Sequence, residues 1–270
     1  MDSAYARHFI LLNALKDNVV YCISRNCTIF YMKILAASDM HGNLDGINLD
    51  GIDLALFAGD IAPLRDISSW DVYDQLKWIN KDFYDFCMAW PKTKIVFIPG
   101  NHDFFPIIKE TFGYKLLGKN LNLHLAPNAA MLIDEEINIY SQNGDPMDLV
   151  RVYGTPWVPI ISYSWAFEAE HDKLVKKFSQ IPKGIDILLT HTPPRFNHLG
   201  VSLAYGVNST NFGCSELADE IFKKEPKMCF CGHIHTGDHE MNKFGQTEIW
   251  NVSRVDESYE AKYKPIVLDI

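Results

Sequence analysis

The sequence predicts an α/β protein whose sheets deliver polar side chains from one end of their strands, and three observations predict it. First, five short apolar runs break into ligand-type residues: Lys33 to Ser38, Leu54 to Ala58, Lys94 to Pro99, Asp186 to Thr190 and Met228 to Phe230. They open respectively into Asp39-Met40-His41, Gly59-Asp60, Gly100-Asn101-His102-Asp103, His191 and Cys231-Gly232-His233-Ile234-His235. Second, stretches between the runs carry apolar residues at helical spacing. Third, short β-prone pieces between Leu121 and Trp157 predict a second sheet, antiparallel at least in part.

Lys33 to Ser38 alternates little, as expected of a strand covered on both faces. Asp39 and His41 follow at i, i+2, which in extended backbone places both side chains on one side about 6–7 Å apart. Leu54 to Ala58 is a second strand, ended by Asp60, a candidate bridge between ions. From Ser68 to Trp90, Tyr73, Leu76, Ile79, Phe83, Phe86 and Trp90 recur at helical spacing and Pro91 closes the segment, which predicts a covering helix. Ile95 to Ile98 is a third strand. It leads to a neutral oxygen donor (Asn101), an ionisable imidazole (His102) and a carboxylate able to orient that imidazole (Asp103).

Leu123 to Leu125, Met131 to Ile133, Ile137 to Tyr140 and Leu149 to Tyr153 read as the second sheet's pieces, with Asn143-Gly144 as a hairpin turn and His124 as a strand residue. Trp165 to Phe178 reads as a helix, with Leu174, Val175 and Phe178 on one face and Glu168, Glu170 and His171 toward solvent. Ile187 to Leu189 is a strand that must stop near His191, because Thr192-Pro193-Pro194 prevents further pairing. Ser215 to Lys224 reads as a helix N-capped by its serine, and Glu248 to Val252 and Pro265 to Ile270 as late strands. Arg195 reads as a surface arginine.

A chain of 270 residues, 47% hydrophobic, can bury one large core, and the simplest division is a single domain over 32–270 preceded by an extension, 1–31. The extension shows no secretory leader pattern. An upstream addition before a start at Met32 and a packed N-terminal arm both fit it. No run is long enough to span a membrane. The six cysteines form no dense disulfide framework, which suits a reducing cytoplasm, and Cys229 and Cys231 read as buried strand residues rather than zinc ligands. A formal net charge of -9 argues against general nucleic-acid binding, which draws on lysine and arginine.

Asp39, His41, Asp60, Asn101, His191, His233 and His235 make seven candidate ligands, too many for one tetrahedral zinc. Two ions sharing Asp60, about 3.5–4 Å apart as in dinuclear hydrolases, account for all of them. Two divalent ions, two carboxylates and a hydroxide leave about one positive charge, which suits a small phosphate ester.

These five motifs, in this order, resemble the calcineurin-like metallophosphoesterase superfamily over about residues 33–270. The resemblance implies a four-layer α/β/β/α sandwich of two mixed sheets flanked by helices. It also implies one ion on Asp39, His41, Asp60 and His235, a second on Asp60, Asn101, His191 and His233, and a catalytic His102 with Asp103. Gly154-Thr155-Pro156-Trp157, Thr192-Pro193-Pro194, Gly213-Cys214 and Asn251-Val252-Ser253 are similar to the metallophosphoesterase-domain-containing group of phosphodiesterases. The chain departs from the protein serine/threonine phosphatase branch at Ile61-Ala62-Pro63 and at Asp103. The function expected is therefore phosphodiester hydrolysis by a hydroxide shared between two divalent transition-metal ions, Mn, Fe or Zn, with His102 as general acid. A phosphomonoesterase or nuclease of the same superfamily, and a metal-bound scaffold without turnover, are the alternatives. The oligomeric state and the physiological substrate are not legible.

Overall fold

Apolar runs too short to span a core as helices are satisfied as strands, whose backbone groups pair laterally while both faces are covered. The computed structural model describes residues 32–64, 72–106, 123–140, 149–198, 200 and 210–270. All lie within the unit Met32–Ile270. The predicted extension, the start of the predicted helix at Ser68 and the Asn143-Gly144 turn lie outside the described residues.

In chain order, β1 (Lys33–Ala37) and β2 (Leu54–Ala58) precede α1 (Val72–Trp78), a π-helical turn (Ile79–Phe83) and α2 (Tyr84–Ala89). β3 (Lys94–Ile98), β4 (Ala129–Met131), β5 (Glu135–Tyr140) and β6 (Leu149–Thr155) follow, then the small pair β7 (Val158–Pro159) and β8 (Glu168–Ala169). α3 (His171–Phe178), β9 (Ile187–Thr190), α4 (Ser215–Lys224), β10 (Met228–Cys231), β11 (Asn242–Phe244), β12 (Thr247–Asn251) and β13 (Ile266–Asp269) complete them.

One sheet has the order β13-β1-β2-β3-β4 and the other β11-β12-β10-β9-β6-β5. β1 to β4 run parallel with β13 antiparallel at the edge, while β6, β9, β10 and β12 run parallel between the antiparallel edge strands β5 and β11. Both sheets are mixed. The two-residue period of a strand then sorts the side chains into layers. Leu54, Leu56 and Ala58 of β2 meet Val152, Ile187, Leu189 and Phe230 of the other sheet. Ala55 and Phe57 face outward onto Leu76, Ile79 and Phe83 of the α1–α2 stretch. On the far side, Leu188, Cys229 and Cys231 pack against Leu174, Phe178, Leu217 and Ile221 of α3 and α4. The result is the expected four-layer α/β/β/α sandwich.

The sheets meet at the carboxyl ends of their parallel strands. There the Ser38 N–H donates to Val252 O at 2.8 Å and pins the end of β1 to the end of β12.

Several expectations are corrected. β4 extends the first sheet rather than the second. Leu123 to Leu125 form no strand: the His124 N–H is taken by Asn80 Oδ1 at 2.6 Å and its ring stacks on Tyr84, so lateral pairing is replaced. The helix predicted from Trp165 begins only at His171. Upstream, the Glu168 carboxylate accepts N–H bonds from Ile161, Ser162 and Trp165, and Phe167 adopts a left-handed φ of 57°, which a helix cannot contain. Val175 is exposed, because the buried line of α3 runs through Leu174 and Phe178 at i, i+4. Cys214 rather than Ser215 occupies the N-cap of α4, and the Ser215 hydroxyl reaches Glu216 instead.

Cys87, Cys214, Cys229 and Cys231 are free and buried, and burial pushes the Cys229 thiol up to about 12. Cys229 and Cys231 are buried residues of β10, as expected. No helix among the described residues is long and apolar enough to cross a membrane.

Gly154 of β6 lets the sheets approach, since a Cβ there would lie 2.6 Å from both Ile98 Cγ2 and Leu132 Cβ. Gly154→Ala is expected to lower stability by about 1–3 kcal/mol through overpacking, measurable by chemical denaturation, while the metal content of the folded protein stays unchanged.

Candidate metal centre

The parallel strands β1, β2 and β10 end in tight turns rather than continuing extended. Asp39, His41, Asp60 and His233 all have left-handed backbone, with φ of 55°, 46°, 51° and 70°. Non-glycine residues rarely adopt this conformation, and it costs of order 1–3 kcal/mol at each position, so surrounding bonds must impose it. They do: the Asp39 N–H donates to Gly59 O at 3.0 Å, His41 N–H to Asp60 O at 2.9 Å and Gly42 N–H to Ile61 O at 2.9 Å. The extended i, i+2 geometry expected for Asp39 and His41 is therefore replaced by two loops laced side by side. His233 and His235 also part company. His235 Nε2 lies 3.5 Å from Asp39 Oδ1, whereas the His233 ring lies 5.0 Å from that of His191.

Two clusters result. Asp39, His41 and His235 form one, and Asp39, Asp60 and His191 the other, each with donor atoms close enough to hold one ion. Asn101 joins the second, its Oδ1 2.9 Å from His191 Nε2, which itself lies 3.4 Å from Asp60 Oδ2. All seven predicted donors thus meet at one end of the sandwich. Glycines permit the approach: a Cβ on Gly232 would collide with Ser38 Oγ and the Asp39 carboxylate, and one on Gly59 with the His191 ring.

The donors fit divalent cations. Both nitrogens of His41 are buried without a hydrogen-bond partner, and its Nε2 stands 3.8 Å from Asp60 Oδ2, beyond hydrogen-bond reach. An orphaned imidazole facing a buried carboxylate is what a ligand to a bound ion looks like. Backbone carbonyls orient two other rings, Ala58 O at 2.9 Å from His191 Nδ1 and Asp256 O at 3.1 Å from His235 Nδ1, which leaves each Nε2 facing the carboxylates.

Electrostatics point the same way. Asp39 and Asp60 are fully buried, and burial alone would raise them, yet His235 and His191 beside them hold both below the usual carboxylate range. Burial would lower His191, but Asp60 lifts it to about 9; His235 is likewise raised, by Asp39. His41 and His233 respond in the opposite sense. Burial drops His41 to about 4, and burial with the neighbouring His191 drops His233 to about 3.

His102 lies at the cleft edge, its ring 4.2 Å from Trp165 and 5.2 Å from His41. Burial lowers its pKa. Asp103 does not orient that ring. Its carboxylate, 0% exposed, accepts from the N–H groups of Ile61 (3.0 Å), Ala62 (2.9 Å) and Gly100 (2.8 Å), tying the Asp60 loop to the Asn101 loop. Burial, then the charge of Asp60, pushes Asp103 up to about 7 against those three donors. Proximity in sequence suggested a His–Asp pair, but the loop turns the two side chains apart.

Residues outside the motifs complete the site. Tyr259, at a left-handed φ of 61°, sets its ring 5.0 Å from His41 and 5.2 Å from His235. Arg254, nearly buried, donates to Asn43 O at 2.9 Å and Asp45 O at 2.6 Å, anchoring the loop after His41. No local pattern marks either residue. Arg195 is exposed, as expected.

Comparison with known proteins agrees with this geometry. Metallophosphoesterase domain-containing protein 1 of Homo sapiens is 30% identical over 256 residues, covering 89% of this chain and 71% of its own. A UPF0046 protein of Caenorhabditis elegans is 34% identical over 151 residues, 54% of this chain and 34% of its own. A crystal structure at 14% identity shares the fold with a TM-score of 0.55, over 89% of this chain and 99% of its own. The calcineurin-like phosphoesterase profile matches residues 32–237, every candidate ligand among them, and the chain belongs to that family.

Proposed function

We propose that the protein is a dinuclear metal-dependent phosphodiesterase acting on small phosphodiesters from the domain at 32–270. The observation that carries the choice of diester is the cleft beside the clusters, about 550 Å³, walled by Trp165, Tyr259, Phe212, Ile161 and Pro159 and, among the described residues that line it, without lysine or arginine. Among the described lining residues, a dianionic monoester would find no lysine or arginine for its second charge. A diester carries one charge and a second organic substituent, which the apolar wall accommodates. The subgroup motifs Gly154-Thr155-Pro156-Trp157 and Thr192-Pro193-Pro194 support the same choice. Buried free cysteines suit a reducing cytoplasm.

Asp39, His41, Asp60 and His235 would hold one divalent transition-metal ion, and Asp60, Asn101, His191 and His233 the other, with Mn, Fe and Zn all compatible with mixed carboxylate, amide and imidazole donors. When bound, the ions supply Lewis acidity toward water and the phosphoryl oxygens. To bind them, His191, lifted to about 9 by Asp60, gives up its proton, so metal uptake at neutral pH releases protons. His102, held against Trp165 at the cleft edge, would protonate the leaving alkoxide oxygen.

A panel of aryl and alkyl diesters, cyclic nucleotides, aryl monoesters and phosphopeptides should show diesters turned over best, with activity lost on chelation and restored by Mn, Fe or Zn. Clear monoester preference would overturn the assignment of substrate class. Asp60→Asn should lower metal content and rate together. His102→Ala should keep both ions and lose about 10²–10⁴-fold on an alkyl diester, but far less on a nitrophenyl diester, whose leaving group needs no proton.

Without ions, stability should depend on pH in a predictable sense. His191 binds more protons folded than unfolded between 6.5 and about 9, so stability falls as pH rises through that window. His41 and His233, at about 4 and about 3, bind fewer protons folded than unfolded below 6.5, so stability falls there as pH drops. Thermal melts of the chelated protein should therefore peak close to pH 6.5, and reloading the ions should remove the alkaline fall.

A further inference from the structure

Gln75 is a polar residue on the buried face of α1, 4% exposed beside Leu76, Ile79 and Phe83. Burying an amide costs free energy unless each of its groups is bonded, and here they are. Oε1 accepts the Phe104 N–H at 2.8 Å, while Nε2 donates to His102 O at 2.7 Å and reaches Pro63 O at 3.4 Å. The opposite orientation would set the amide oxygen against two carbonyls, so the network fixes it one way round.

We infer that Gln75 is a positioning residue for His102, holding the peptide from which the imidazole projects; the inference rests on the reading of His102 as proton donor. His102 is gripped at both ends of its backbone: its N–H donates to Asp60 Oδ1 at 2.8 Å and its carbonyl accepts from Gln75. Among the described residues no hydrogen bond reaches its ring nitrogens, and Asp103 spends its carboxylate on the Ile61, Ala62 and Gly100 amides. Among the described residues the ring is therefore placed by backbone and packing. Trp165 and His41 supply ring contacts, and Asp60 and Gln75 the two backbone bonds. A methionine of similar length would fill the space under α1 as well, so packing does not require an amide at this position.

Misplacing a reacting group by about 1 Å can cost about 10²-fold, which sets the expected scale. Gln75→Met, compared in wild-type and His102→Ala backgrounds on alkyl and nitrophenyl diesters, isolates the effect, with metal content measured alongside. The expected result is a loss of about 10–10²-fold on the alkyl diester, much less on the nitrophenyl diester, unchanged metal, and no further loss once His102 is alanine. Gln75→Glu, which keeps the acceptor for Phe104 and loses the donor to His102, should show the same leaving-group bias and serves if the methionine variant fails to fold. Equal losses on both substrates, or an undiminished loss in the His102→Ala background, would overturn the role. If His102→Ala itself shows no leaving-group bias, the reading of His102 fails and the role of Gln75 fails with it, an outcome distinct from a biased His102→Ala beside an unbiased Gln75→Met.

Discussion

Asp39 and Asp60 have almost no water to solvate their charge, being 0% and 1% exposed, and they stand together where the two sheets meet. The penalty for desolvating a carboxylate is several kcal/mol even after relaxation, and two close together repel. Such a pair persists only among compensating charge. The fold supplies part of it through N–H groups, His233 N–H to both Asp39 oxygens at 3.2 and 3.1 Å and His102 N–H to Asp60 at 2.8 Å. Positive charge supplies the rest, from protons on His191 and His235 or from cations in their place. The centre is in this sense a cation site written into the fold, and the loops around it are shaped by that demand.

The loops themselves are held by buried side chains aimed at the backbone. Asp103 spans the loops after β2 and β3, Gln75 grips the second of these from the covering helix, Arg254 anchors the loop after β1, and Asn251 donates to Ile234 O at 2.8 Å between His233 and His235. These bonds offset the strain at the four left-handed candidate ligand residues. A candidate ligand set on three such turns, after β1, β2 and β10, would otherwise relax toward ordinary backbone and spread apart.

Sequence patterning reached the donors because parallel strands all finish at the same end of a sheet, so five apolar runs followed by Asp, Asn or His converge by topology alone. The four layers were implied by the family resemblance, while apolar runs without alternation marked strands covered on both faces and near-four spacing marked the covering helices. What escaped was whatever depends on partners distant in sequence. Glu168 reads as a helix-surface acid but caps three upstream amides. Asp103 reads as a partner for its neighbour His102 but bonds across 42 residues to Ile61. Gln75 reads as one polar position on a helix, and only the loop lying beneath it gives the amide a purpose.

The charge distribution bears on how an anion reaches such a centre. The chain carries a net charge of -9, and the described cleft lining contributes Glu257 and Asp60 but no lysine or arginine. For the proposed phosphate ester, long-range attraction is therefore unfavourable, and what draws it in would be short-range: cations held at the floor for the phosphate and apolar packing on the aromatic wall for its organic group. Salt screens the first kind of field within about 10 Å at 0.1 M ionic strength but barely touches buried, desolvated contacts. On the proposed reading, discrimination among phosphate esters would then rest on contacts within the cleft rather than on long-range steering.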